Sequence, residues 1–182
     1  MNLFVCVDEN LNILSLNHFK PYKKTMVKIK ELLENKAVVF DNEFIDYISN
    51  VPSCSKIIYD ENIKSNLPEF LLPVLKTKEK VFGNFKDLFD HLKRLEDKNI
   101  FIIGHKIFQD FLPFVNDIYQ LNILEILPDK DKFMNIKENQ NWKLMMNSEP
   151  IFENERTIYF THYKRKRDKL EFSQLEEIEF EK

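Results

Sequence analysis

Glycine is almost absent from this 182-residue chain, which contains only Gly83 and Gly104. A Walker phosphate-binding loop and a dinucleotide-binding fingerprint each need two or three glycines within one short loop, because bare backbone has to approach the phosphates. The sequence therefore excludes both motifs.

Cysteine and histidine are also scarce. Cys6 and Cys54 are too few for a disulfide framework, and we expect both to be reduced thiols in a cytoplasmic protein. No serine or cysteine lies in a nucleophile-elbow motif. The histidines do not follow a metal-ligand spacing, so we expect no metal ion; they are His18, His91, His105 and His162. Hydrolase and metalloenzyme functions are disfavoured.

The chain has neither excess positive charge nor a long apolar run. Its net charge is −3 and its isoelectric point is near 5.9, which disfavours nucleic acid as a partner because phosphate binding depends on excess Lys and Arg. No apolar run approaches the roughly 20 residues of a membrane span, and the first residues do not resemble a signal peptide. We expect neither a nucleic-acid nor a membrane partner.

Apolar residues are plentiful, at 43% with 17 Phe, and their pattern indicates an α/β domain. Short apolar runs alternate with amphipathic segments. The pattern predicts helices at 24–35, 42–50 and 84–96, with Asn84 as the N-cap of the last. It predicts about eight strands, near 2–8, 36–40, 55–59, 80–83, 99–103, 117–124, 142–147 and 156–164.

The stretch 99–123 is the most informative part of the chain. Ile100–Ile103 is a continuous apolar run, typical of a strand buried on both faces. Gly104 ends it, and a short amphipathic helix follows that Pro113 terminates. From Ile118 onward the residues alternate, with Tyr119, Leu121 and Ile123 predicted on one face and Gln120 and Asn122 on the other.

This stretch resembles the late cofactor-binding unit of dihydrofolate reductases, in which an apolar strand runs into a diglycine and a helix ends in FLP. Leu3–Asp8 resembles the family's first strand, and helix 24–35 followed by NKAVVF resembles its substrate-facing helix and second strand. Later segments match in the same order: Ser55–Tyr59, Val81–Leu95, Phe133, Trp142 and Thr157–Lys164. The resemblance covers about 1–166 and implies a twisted, mainly parallel sheet of about eight strands flanked by helices.

The position of the family's catalytic acid does not carry an acid. The family reaction needs a carboxylate near the pterin while NADPH delivers hydride. The resemblance places that position at Thr25, whose hydroxyl cannot hold the charge. The nearest acid on the helix, Glu31, is six residues on and is rotated 240° around the axis at 100° per residue, so it points elsewhere.

The positions expected to bind the cofactor also depart from the family. Its diglycine is replaced by Gly104-His105, and its phosphate-binding helix start is replaced by a segment with Asp41 and Glu43, whose charge repels phosphate. Lys106 is the one residue there with a charge suited to phosphate. Four further positions carry a residue type other than the one the family has there; they are Leu14, Lys20, Leu121 and Cys54.

Two segments add to the family pattern. Residues 60–79 are about ten residues longer than the usual connection and are predicted to contain a short helix from Pro68 to about Leu75. Residues 164–182 begin with KRKR and continue as an acidic tail with five apolar residues, so residues 167–182 are assigned as a tail beyond a domain at 1–166. We expect the tail to dock on a protein surface or to be disordered.

We interpret the chain as a dihydrofolate-reductase-like domain that has lost folate reduction and serves as a binding, structural or assembly component. In this interpretation no cofactor is expected, and the partner is another protein or a second copy, bound through 164–182 or 60–79. The alternative is a divergent NADPH-dependent reductase of dihydrofolate or of another pterin- or flavin-like ring. Its substrate pocket would be lined by Phe4, Cys6, Thr25, Ile103 and Phe108, and its cofactor would contact Gly104, His105 and Lys106.

Overall fold

A computed structural model describes residues 1–40, 54–60, 80–95, 99–104, 107–128 and 131–166. Within these ranges the chain forms nine strands: β1 (Asn2–Val7), β2 (Ala37–Phe40), β3 (Ser55–Tyr59), β4 (Lys80–Phe82), β5 (Ile100–Ile103), β6 (Asp117–Ile123), β7 (Trp142–Asn147), β8 (Ile151–Glu153) and β9 (Arg156–Arg165). The helices are α1 (Lys23–Leu33), α2 (Phe85–Lys93) and α3 (Ile107–Phe111), with 3-10 turns at Leu16–Phe19 and Leu112–Phe114.

All nine strands belong to one sheet, with the order β4-β3-β2-β5-β1-β6-β9-β7 and with β8 paired to β9. The pairs from β4 to β6 are parallel, and the pairs of β9 with β6, β7 and β8 are antiparallel. The predicted mainly parallel α/β sheet is therefore confirmed. Strand β5 lies between β2 and β1, which explains why all four of its residues are apolar and buried.

Helix α2 begins where its sequence predicts. The side chain of Asn84 accepts a hydrogen bond from the backbone N–H of Asp87 at 2.8 Å, which satisfies one of the free donors of the first turn. The helix buries Leu88, Phe89 and Leu92 against the sheet. It spans nine residues and ends before the predicted residue 96, and α1 is likewise shorter than the predicted 24–35.

The sheet separates two buried clusters of apolar residues. The α1-side cluster contains Ile29 and Leu33 of the helix together with Phe4 and Cys6 of β1. The opposite cluster, called here the α2-side cluster, contains the apolar residues of α2 and α3 with Leu3, Val5 and Val7 of β1. Alternate residues of one strand therefore contribute to different cores.

Arg165 fixes the end of β9 to the parallel half of the molecule. Its guanidinium donates hydrogen bonds to the carbonyl oxygens of Val115, at 2.8 Å, and Leu112, and it lies 4.6 Å from the ring centre of Trp142. Burial lowers the pKa of Arg165 below its usual value. The strands predicted near 142–147 and 156–164 correspond to β7 and β9, which pair antiparallel, whereas the three-residue strand β8 was not predicted.

Several predicted features lie outside the described residues: helix 42–50, the helix from Pro68, the carboxylates Asp41 and Glu43, the pair His105 and Lys106, and the tail 167–182. Within the described ranges, no helix has the length and apolar character needed to cross a membrane.

Candidate functional site

The position expected to carry the catalytic acid is fully enclosed by protein. Thr25 lies in the first turn of α1 on the same buried face as Ile29 and Leu33, and its exposed fraction is 0%. Among the described residues, its hydroxyl oxygen has no hydrogen-bond partner. Glu31 is exposed to solvent, as its position around the helix axis predicts.

The start of α1 is capped by a side chain from a distant strand. Tyr22, the residue preceding the helix, makes no side-chain capping bond. Instead, the carboxylate of Glu153 in β8 accepts hydrogen bonds from the backbone N–H of Lys24, at 3.0 and 3.1 Å, and from that of Thr25, at 3.3 Å. A carboxylate at this end also complements the helix dipole. Both carboxylate oxygens of Glu153 therefore accept hydrogen bonds from the backbone of α1.

Four of the five predicted pocket residues lie on the α1 side of the sheet, and protein atoms cover them. The exposed fractions are 0% for Phe4, 3% for Cys6, 0% for Thr25 and 2% for Ile103. Burial raises the pKa of the Cys6 thiol well above its usual value, so the thiol stays protonated at neutral pH. These side chains act as core in this conformation.

The fifth predicted pocket residue, Phe108, lies in the α2-side cluster and packs edge-on against Phe133 with ring centres 6.0 Å apart. It borders a cavity of about 600 Å³ between α3 and residues 131–134. Ile13 and Leu112 supply further apolar wall, and Asp131 and Lys132 supply charge. This volume is within the range of small-molecule sites, roughly 300–1,000 Å³.

The remaining positions of the family resemblance differ in how far they are buried. Gly104 is buried at the end of β5, beside the residues 105 and 106 that lie outside the described ranges. Leu14 and Leu121, with exposed fractions of 2% and 0%, belong to the α1-side cluster. Cys54 is half-buried against the same cluster, and Lys20 is exposed. At Leu14, Leu121, Cys54 and Lys20, an apolar or solvated side chain stands where the resemblance implies a different residue.

The one buried carboxylate next to β1 has a structural role. Asp8 is 2% exposed, and its oxygens accept hydrogen bonds from the backbone of Asn10, Asn12 and Leu127 at 2.9–3.0 Å and from the Asn12 side chain at 2.8 Å. Burial alone would raise the pKa of Asp8, but these hydrogen bonds outweigh it and lower the pKa below the usual value. Asp8 joins the loop after β1 to the loop after β6.

Sequence reasoning identified neither Glu153 nor Asp8 as a structural residue. For Asp8 a local signal existed, because the DEN turn with Asn12 four residues on is typical of an Asp side chain bonded to its own loop. For Glu153 there was none, since its partners lie 129 and 128 residues away. Within the described ranges, His, Cys, Asp and Glu side chains do not gather in groups of three that could hold a metal ion.

The strand order, the parallel half from β4 to β6 and the closing antiparallel strands define the fold of the dihydrofolate reductases. The dihydrofolate reductase of Enterococcus faecalis, solved in complex with NADP(H) and RAB-propyl, aligns with a TM-score of 0.65. The alignment covers 91% of this chain and 96% of that chain, at 15% sequence identity. No protein-family model and no curated protein matches the sequence. The likeness establishes the fold.

Proposed function

We propose that this chain is a dihydrofolate-reductase-like domain that does not reduce folate and that serves as a binding or assembly component. The observation that carries the proposal is the state of Thr25, which occupies the acid position and is fully buried, and whose hydroxyl has no hydrogen-bond partner in the described part of the chain. Without a carboxylate at this point, the site cannot stabilise a protonated pterin ring or pass a proton to it.

The surroundings of Thr25 support the same conclusion. A substitute acid from elsewhere in the chain would need a free carboxylate close to the first turn of α1. Glu153 is close, but its two oxygens are hydrogen-bonded to the backbone N–H groups of Lys24 and Thr25. The apolar residues Phe4, Ile103 and Leu121 fill the α1 side of the sheet, and the most exposed of them is 2% exposed.

Exposed apolar residues at one edge of the sheet support a role in assembly. Strand β7 ends the strand order among the described residues, and Leu144, Met145 and Met146 in it are 48–53% exposed. Such an edge presents unpaired backbone groups to a partner. Arg165, the last residue of β9, pairs with Trp142 at the start of β7, so β9 ends beside this edge. This position supports docking of a protein or a second copy through 164–182, with 60–79 as the other candidate surface.

The alternative is a divergent NADPH-dependent reductase that acts on dihydrofolate or on another pterin- or flavin-like ring. The cavity of about 600 Å³ beside Phe108 favours it, because this cavity borders the helix that follows Gly104. The enterococcal enzyme with the same fold was solved with NADP(H). In the alternative, Gly104, His105 and Lys106 contact the cofactor.

Cofactor titration separates the two functions. The full chain is titrated with NADPH by fluorescence, and NADPH oxidation is followed with dihydrofolate as substrate. We expect no saturable binding at millimolar NADPH and no oxidation above the background without protein. Micromolar binding with steady turnover would contradict the proposal and establish the alternative.

The variant Thr25→Asp tests whether the missing acid is the single defect. We expect it to remain inactive, because the cofactor positions also depart from the family. The matched control is Thr25→Asn, which has the same shape without the charge. Recovery of dihydrofolate reduction in Thr25→Asp but not in Thr25→Asn would show that the cofactor site is intact.

A further inference from the structure

A second, smaller cavity lies on the α2 side of the sheet, across the sheet from Thr25. It has a volume of about 240 Å³ and is lined by the carboxyl ends of β1 and β6, by Tyr159 and Tyr163 of β9 and by residues 135–137. Gln120 and Asn122 form part of its lining. They alternate along β6 with Leu121 and Ile123, which belong to the α1-side cluster. Ile123 also borders the cavity, but none of the predicted pocket residues Phe4, Cys6, Thr25, Ile103 and Phe108 does.

The strands provide buried polar groups where an apolar core is expected. Gln120, Asn122 and Thr161 are exposed by 3%, 7% and 2%, respectively. The side-chain nitrogen of Asn122 donates to the Thr161 hydroxyl at 3.0 Å and to the carbonyl oxygens of Gln120 at 3.2 Å and Tyr159 at 3.3 Å. Gln120 donates its amide N–H to the side-chain oxygen of Asn122. Asn122 is thereby held in a fixed orientation.

This network leaves three groups free to bind a ligand. No described residue hydrogen-bonds to the side-chain oxygen of Gln120 or to the phenol hydroxyls of Tyr159 and Tyr163, and all three residues line the cavity. Burial raises the pKa of both phenols, with a further contribution from Glu9 for Tyr159 and from Tyr159 for Tyr163. Both phenols are therefore neutral at physiological pH. Their hydrogen-bonding capacity is therefore available to a ligand or to water in the cavity.

We propose that this cavity binds a small, neutral, polyhydroxylated molecule of the cyclic polyol or monosaccharide class. The free groups are a carbonyl acceptor and two hydroxyls that both donate and accept, which suits a ring of hydroxyls. The volume is below the roughly 300–1,000 Å³ of sites for drug-sized ligands, which indicates a small ligand.

Charge argues against an ionic ligand. The buried Asp8 carboxylate borders the cavity, but its oxygens already accept four N–H bonds, three from its own loop and one from Leu127 in the loop after β6. Glu9 and Lys137 are exposed and of opposite sign, so the rim offers no net charge. The ionised Asp8 would repel an anion, and a cation would lose hydration against carboxylate oxygens that are already hydrogen-bonded. The position at the carboxyl ends of two parallel strands is where open α/β sheets commonly bind ligands.

The test is a titration of the full-length ¹⁵N-labelled protein with myo-inositol and with glucose, followed by NMR. The expected result is a saturable shift of the Gln120 side-chain amide signals with at least one of the two. Sodium acetate and tetramethylammonium chloride are the charged comparison probes. The absence of a saturable shift with both polyols, or tighter binding of either ion, would overturn the proposal.

Single-hydroxyl variants locate the site. Tyr159→Phe and Tyr163→Phe each remove one hydrogen bond to the ligand, and each is expected to weaken polyol binding about three- to tenfold. The matched control is Tyr119→Phe, because Tyr119 is in β6 but belongs to the α1 side of the sheet. Unchanged binding in both test variants, or an equal loss in Tyr119→Phe, would place the ligand elsewhere and overturn the proposal.

Discussion

The carboxylate of Glu153 accepts both of its short hydrogen bonds, at 3.0 and 3.1 Å, from the backbone N–H of Lys24, a residue 129 positions earlier in the sequence. This contact joins the β8–β9 hairpin to the first turn of α1. Asn154, in the turn of the same hairpin, adds a hydrogen bond to the carbonyl oxygen of Pro21 at 3.1 Å. The antiparallel end of the sheet therefore determines how the helix with the Thr25 position begins.

Glu153→Ala is expected to destabilise the protein by about 1 kcal/mol, within the 0.5–2 kcal/mol typical of a lost N-terminal cap. The physical reason is that the N–H groups of Lys24 and Thr25 lose their acceptor and the helix dipole loses its counter-charge. The measurement is the free energy of unfolding in urea. The control is Glu149→Ala, an exposed glutamate on the β7–β8 connection, which should change this free energy little.

Thr25→Val is expected to leave the protein as stable as the wild type or to stabilise it by up to about 1 kcal/mol. The substitution keeps the shape of the side chain and removes a buried hydroxyl that has no partner among the described residues and whose desolvation costs about 1–3 kcal/mol. The comparison is Thr161→Val, because that hydroxyl accepts a hydrogen bond from Asn122 and its loss should destabilise. Marked destabilisation by Thr25→Val would show that its hydroxyl is bonded in solution.

The stability contributed by Asp8 is expected to depend on pH. Because the folded-state pKa of Asp8 is lowered, its contribution is fully present above the unfolded-state pKa, about 3.9, and is lost as the pH falls through the lower folded-state pKa. Asp8→Asn should destabilise the protein at pH 7 by about 1–3 kcal/mol, since one amide oxygen cannot replace two carboxylate oxygens.

The measurement for Asp8 is the free energy of unfolding between pH 7 and pH 3, as a difference between the wild type and Asp8→Asn. That difference should be constant near neutral pH and should shrink below about pH 4. The control is Glu138→Gln, at an exposed position. A difference that stays the same down to pH 3 would contradict the lowered pKa.

Deletion of 168–182 is expected to leave the domain folded and to weaken a specific association. The five apolar side chains of the tail are worth about 7–15 kcal/mol if fully buried, while ordering its backbone costs at least as much, so it needs a well-shaped partner surface. Sedimentation velocity tests self-association, and affinity capture with mass spectrometry tests other partners.

The matched control for the deletion separates charge from apolar contact. One variant changes the apolar residues of the tail to Ser, and the other changes its five glutamates to Gln. We expect the Ser variant to lose the association, as the deletion does. The Gln variant should retain an association close to that of the wild type. Identical association of the full chain and the deletion would show that the tail has no role.

Much of the fold could be predicted because the relevant signals are local. The apolar run of β5 is continuous, since the strand is covered on both faces, and Asn84 precedes α2 with the spacing of a cap. The alternation in β6 correctly assigned Leu121 and Gln120 to different faces, but it did not predict that the polar face is buried. A polar residue can be buried when neighbouring strands supply its partners, and the identity of those neighbours is not a local property.

The sequence by itself determined the α/β class, the order of the elements and the absence of a carboxylate at position 25. Periodicity, capping residues and residue identity are local properties that can be read directly from the sequence. The tertiary structure decided that Thr25 is sealed in the core, that Glu153 caps α1 and that Asp8 joins two loops 119 residues apart. It also decided that Gln120 and the two tyrosines face one cavity. These relationships arise only when the sheet brings β1, β6, β8 and β9 together, since hydrogen bonds depend on distances in space that no local pattern encodes.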